Sequence, residues 1–179
     1  MIHPWHTLSH GKDAPKIVNS IIEIARESKA KYELDKETGF LRLDRVLHTD
    51  LRYPFHYGFI PQTYCEDKDP LDVIVLCSEP LLPLSIVETT VVGAIHMIDG
   101  GELDYKIIGI ATHDPYVQRI KDLSDINAER LATFKFFFEH YKQQEAKEVV
   151  IKGFFNKEEA QQLVLDSIQM YKDKFPAQH

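Results

Sequence analysis

Glu66-Asp67-Lys68-Asp69-Pro70-Leu71-Asp72 gathers four carboxylates into seven residues at the mouth of an apolar strand. Like charges so close repel and raise one another's pKa, so something positive has to sit among them. Divalent cations are the natural compensation, and donors that are all oxygen select hard ions such as Mg²⁺ or Mn²⁺. Taken alone, the segment reads equally as a solvated acidic loop. A second group, Asp99-Gly100-Gly101-Glu102-Leu103-Asp104-Tyr105-Lys106, sets carboxylates in a Gly-containing turn, which a plain hairpin tip also explains. Its spacing does not match the alternating ligands and twelfth-position Glu of an EF-hand loop.

Three further groups carry charge or hydroxyls. Lys31-Tyr32-Glu33-Leu34-Asp35-Lys36, followed by Leu43-Asp44-Arg45, alternates in a way that aims Lys31 and Glu33 from one strand face, as surface strands also do. Tyr53-Pro54-Phe55-His56-Tyr57-Gly58-Phe59-Ile60 is aromatic enough for a core strand, with tyrosine hydroxyls as the functional alternative. Phe136-Phe137-Phe138-Glu139-His140-Tyr141-Lys142 combines packing rings with Tyr141 and Lys142, which can reach a neighbouring anion. His140 has no second histidine at ligand spacing and is left out of the site.

The elements that must position these groups follow from periodicity. Short β-type runs cover 20–24, 31–34, 40–47, 57–60, 72–77, 86–98 and 105–111, separated by turn signals such as Glu37-Thr38-Gly39 and Glu79-Pro80. Their spacing suggests an antiparallel barrel or sandwich. Leu131, Phe134, Phe138 and Tyr141 then mark the buried stripe of a helix over about 126–144. A second helix starts from Asn156, with Glu159 completing a capping box, and runs to about Lys174 with Ala160, Leu163, Val164, Ser167, Ile168 and Tyr171 on one face. The expectation is a mainly β, α+β fold: a barrel with helices packed outside it.

The 179 residues, 44% hydrophobic and 27% charged, fit a single domain spanning 1–179, without repeat or linker. No apolar run reaches the roughly 18 residues of a membrane span. The Met1-Ile2-His3-Pro4-Trp5-His6 start lacks the pattern of a secretory signal, so a cytoplasmic location is expected. Cys65 and Cys77 form no disulfide framework or zinc motif. A net charge of −7 argues against nucleic-acid binding, and a phosphate ligand would need metal ions.

In this order the groups resemble the soluble inorganic pyrophosphatases, from about residue 3 to residue 172. The likeness is carried by Lys31-Tyr32-Glu33, Asp44-Arg45, Tyr53 to Gly58, the Asp67-Lys68-Asp69-Pro70-Leu71-Asp72 signature, Asp99 to Lys106, and Tyr141-Lys142. His3-Pro4-Trp5-His6 and Cys65-Glu66-Asp67 look like the plant-type branch. Lys68 stands where many bacterial members carry glycine, and Gly100 where some relatives carry another acid. The resemblance implies a closed five-stranded OB-like barrel with two C-terminal helices. It also implies hydrolysis of inorganic diphosphate to two orthophosphates, with several Mg²⁺ per site, replaceable by Mn²⁺ or Zn²⁺, and a metal-activated water.

By the same likeness Asp67, Asp72, Asp99 and Asp104 would bind metal, with Glu23, Glu33 and Tyr53 in support. Lys31, Arg45, Tyr57, Lys106, Tyr141 and Lys142 would hold the diphosphate. Asp69, hydrogen-bonded to the attacking water, is the candidate general base. With no nucleophilic side chain required, transfer goes directly to water without a phosphoenzyme. A homo-oligomer, with a hexamer favoured, is also implied. An OB-type oligonucleotide-binding module is the alternative, opposed by the acidic charge. Nucleoside triphosphate hydrolysis would call for a Gly-rich phosphate loop, and no G-x-x-x-x-G-K-[ST] occurs.

Overall fold

A computed structural model describes residues 3–143 and 148–176. Strands β1 (Ile17–Ile24), β4 (His56–Phe59), β5 (Asp72–Leu76), β6 (Ile86–Asp99), β7 (Glu102–Ala111) and β8 (Val149–Phe155) form one six-stranded sheet. Its order is β1-β4-β5-β7-β6-β8, and β1 pairs with β6 as well as β4, so the pairings return upon themselves. Strands β2 (Ala30–Leu34) and β3 (Leu41–Val46) form a separate hairpin.

Several features of the strands differ from the sequence expectation. Every pairing was expected to be antiparallel, yet β5 and β7 run parallel. That is possible because β6 intervenes in the chain while lying on the far side of β7. Strand β8 was not anticipated, although Val149-Val150-Ile151 is a β-branched run; it adds to the outer side of β6.

Strand β7 also begins at Glu102, ahead of the Tyr105 start that alternation suggests. Gly100 and Gly101 have φ of 58° and 94°, the left-handed conformations of a two-residue hairpin turn, so Asp99 pairs directly with Glu102.

Helix α1 (Ala128–His140) starts where the Asn127 side chain accepts from the Arg130 amide, after a 3₁₀ turn at Leu123–Asp125. It is capped by Tyr141; the expected end at Gln144 lies outside the described residues, as do Met1 and Ile2. Helix α2 (Lys157–Lys174) carries the anticipated reciprocal capping box between Asn156 and Glu159. Its buried face is Ala160, Val164, Ser167, Ile168 and Tyr171, with Leu163 only partly covered.

Beyond Asp72, strand β5 is apolar because both of its faces are covered. Ile74 and Leu76 join the cluster containing Phe134, Phe137 and Phe138 of α1, whereas Val73 and Val75 join the cluster containing Ala160, Val164 and Ile168 of α2. At Gly58 the β1 backbone comes so near that a Cβ would lie 1.8 Å from the Ile21 carbonyl oxygen. Among the described residues no helix is long and apolar enough to cross a membrane.

Candidate active site

Strand register decides which charges meet. The parallel pairing sets Asp72 opposite Lys106, while Asp104, two residues before Lys106, shares its face. The Lys106 ammonium therefore sits between two carboxylates: it pairs with Asp72 and donates to Asp104 Oδ1 at 2.7 Å and Oδ2 at 2.8 Å. Burial alone would lower its pKa, but Asp104 and Asp72 outweigh that and hold it well above the ordinary value. It stays charged.

Other elements close the same space. On β1 the register shifts between Ile22 and Ile24, leaving Glu23 as the extra residue of a bulge. Glu23 lines the cavity and accepts from the Leu34 amide at 2.7 Å. Burial, then the Asp72 charge, raises its carboxyl to about 8. The β6 and β7 hairpin brings in Asp99, and the end of α1 brings in Tyr141 and Lys142, whose ammonium pairs with Asp99. From β2, Lys31 pairs with Glu33 and lies 3.7 Å from Asp44. In the loop before β5, Asp67 accepts from the Asp69 amide at 3.0 Å.

Together these residues line a cavity of about 290 Å³ that contains Glu23, Lys31, Glu33, Tyr57, Asp67, Asp69, Asp72, Asp99, Asp104, Lys106, Tyr141 and Lys142. Burial raises Asp67 to about 6 and raises Asp104, whose shift Lys106 partly opposes. Tyr57 and Tyr141 are buried, and burial lifts both hydroxyls well above the usual tyrosine value, so both remain protonated donors. Among the described residues no three acidic, imidazole or thiol groups converge as a ready-made ion site. Ammonium groups stand between the carboxylates instead.

A family model described as inorganic pyrophosphatase matches residues 20–172. The chain belongs to the inorganic pyrophosphatase family. It is 47% identical over 173 residues to soluble inorganic pyrophosphatase 2 of Chlamydomonas reinhardtii, covering 97% of this chain and 90% of that protein. A soluble inorganic pyrophosphatase of Zea mays is 45% identical across 94% of this chain and 79% of its own length. The crystal structure of an inorganic pyrophosphatase from Thermus thermophilus aligns with a TM-score of 0.92 and 40% identity, covering 94% of this chain and 99% of that one.

Two anticipated residues lie outside this cavity. Arg45 faces Lys31 in the β2 and β3 register, but its guanidinium engages the adjacent Asp44 and it does not line the space. Tyr53 is buried behind the wall, its ring 5.8 Å from that of Tyr57 and 4.7 Å from that of Phe137. Trp5, Tyr32, Leu34, Lys36, Phe59 and Pro70 line the cavity although the sequence assigned them no role. Trp5, Tyr32 and Pro70 stand within the stretches that carried the resemblance and Lys36 lies outside them, but nothing local marks any of the four.

Proposed function

We propose that this cavity hydrolyses inorganic diphosphate to two orthophosphates by direct attack of water, with Asp69 as general base. The observation that carries the reading is the buried Lys106 ammonium held between Asp72 and Asp104, within a space where carboxylates and lysines alternate. A site that holds a highly charged anion together with cations needs both signs in quantity. Asp67, Asp72, Asp99 and Asp104 would hold the metal ions, Mg²⁺ by preference with Mn²⁺ or Zn²⁺ as substitutes. The donor set fits: it is all oxygen, and the carboxyls of Asp67, Asp104 and Glu23 are raised first by burial and then by the charge of Asp72 beside them, which a bound cation would offset. When bound, such ions neutralise the diphosphate and make a water acidic enough to react near neutral pH.

The protein's own groups do the rest. Lys31, Lys106 and Lys142 offer ammonium groups to the diphosphate oxygens, and Arg45 supplies charge from behind Lys31. Tyr57 and Tyr141 donate hydroxyl hydrogens, while Glu23, Glu33 and Tyr53 support the rim and wall. Asp69 accepts the proton of the attacking water. We read the ring of strand pairings as a closed five-stranded OB-like barrel and residues 1–179 as one domain. A cytoplasmic location and a homo-oligomer, with a hexamer favoured, are proposals that rest on family likeness.

Phosphate release from diphosphate, with and without Mg²⁺, tests the reading in the parent and in the Asp69→Asn and Asp72→Asn proteins, with ATP as control substrate. Rapid metal-dependent release that either substitution lowers steeply to a small residual rate, with ATP left intact, is expected. Absence of release with every divalent metal, from folded protein, would overturn it in favour of an oligonucleotide-binding module.

A further inference from the structure

Lys36 lines the cavity but takes no part in the roles above. It follows β2 in a turn that Asp35 organises, its carboxylate accepting from the Thr38 amide at 2.9 Å and pairing with Arg42. The N-terminal segment clamps this turn. His3 Nε2 donates to the Lys36 carbonyl at 3.2 Å, and at Gly39, with φ of 73°, a Cβ would meet Pro4 at 3.0 Å. Trp5 is anchored in turn, its indole donating to the Thr63 carbonyl at 2.8 Å and its own carbonyl accepting from the Gln62 amide at 2.9 Å.

The ammonium so placed has a built seat. It pairs with Asp69 Oδ1, donates to the Lys68 carbonyl at 3.3 Å and stands 6.0 Å from the centre of the Trp5 ring. Lys68 presents that carbonyl from a backbone held at φ of 70°. The Lys36 and Asp69 side chains are 49% and 48% exposed, and an ion pair so accessible contributes little to stability. The pair itself therefore does little to hold the fold, while the buried Trp5 ring and the anchored turn fix where its ammonium stands.

We propose that Lys36 is a positioning residue: by engaging Oδ1 of Asp69 it fixes that carboxylate and leaves Oδ2 to the attacking water. The proposal rests on Asp69 being the general base. Lys36 acts on orientation, so its loss lowers kcat and leaves KM nearly unchanged.

A double-mutant cycle tests it, with phosphate release from Mg-diphosphate measured for the parent, Lys36→Met, Asp69→Asn and the double variant, and with Lys36→Arg as the conservative replacement. Lys36→Met is expected to lower kcat about 10- to 100-fold in the parent. In the Asp69→Asn background it should cost less than about twofold, because the group it positions is already gone. Lys36→Arg should recover most of the rate, and melting temperatures should match within about 2 °C. Should Met disturb folding, Lys36→Gln takes its place in the cycle. An unchanged kcat for Lys36→Met, or an equal loss in both backgrounds, overturns the positioning role; the second result makes Lys36 a direct contact of the anion. An Asp69→Asn protein working at the parental rate instead overturns the reading of Asp69 itself.

Discussion

Glu23→Gln should make the metal-free protein more stable at alkaline pH and leave it nearly unchanged in acid. The folded Glu23 carboxyl keeps its proton to about pH 8, against an ordinary value of 4.5. Between those limits unfolding releases a proton, so raising the pH favours the unfolded chain. The stabilisation is complete below 4.5 and is gone once the pH passes about 8. The slope approaches about 1.4 kcal/mol per pH unit, which accumulates to on the order of 4 kcal/mol across the window. Glutamine keeps an oxygen for the Leu34 amide and cannot ionise, so only this contribution disappears. Urea unfolding of chelator-treated protein at pH 5, 6, 7 and 8 measures it. The two proteins should agree within about 1 kcal/mol at pH 5, and the variant should gain by a few kcal/mol at pH 8. Parallel stability curves would refute the argument, since Asp67 and Asp104 titrate in both proteins and cannot separate them.

Two more outcomes follow from packing and charge. Lys106→Met leaves two half-buried carboxylates facing each other without a counter-charge, so the metal-free protein should lose about 3 kcal/mol in denaturant melts, with Mg²⁺ restoring most of it. An equal deficit with and without Mg²⁺ would show that the lysine matters by its packing alone. Gly58→Ala forces a Cβ onto the Ile21 carbonyl and should cost at least about 2 kcal/mol, read by the same melts; a neutral effect would mean that β1 and β4 can part.

The sequence revealed those parts of the site that are contiguous or periodic. Asp67, Asp69 and Asp72 are legible because crowded acids demand a counter-charge wherever the chain takes them. The end of α1 is legible because Phe134 and Phe138 recur with the helix and carry Tyr141 along. Glu23 is different: within Ile21-Ile22-Glu23-Ile24 it looks like a misplaced acid, and only the bulge explains its aim. The parallel register of Asp72 with Lys106 leaves no local trace, because alternation reports which face a residue takes and not which strand lies beside it. Strand β8 did have a signal in Val149-Val150-Ile151, obscured by its position between two helices. Lys36 and Trp5 could not be found from spacing, since their meeting depends on an N-terminal segment returning to a turn.

The β5 and β7 register also governs how the molecule comes into being. Asp72 and Lys106 are 34 residues apart, and they face each other only when β7 is docked in register on β5. Local turns and helices can assemble without that step, whereas non-local parallel pairing pays its loop-closure entropy before it gains contacts. A chain with most of its strand and helix content restored can thus still lack the charged cavity. With the reaction placed in this cavity, as proposed, return of hydrolysis during refolding is a stricter report of native topology than return of secondary structure, and the proposed reaction centre doubles as the molecule's own proof of assembly.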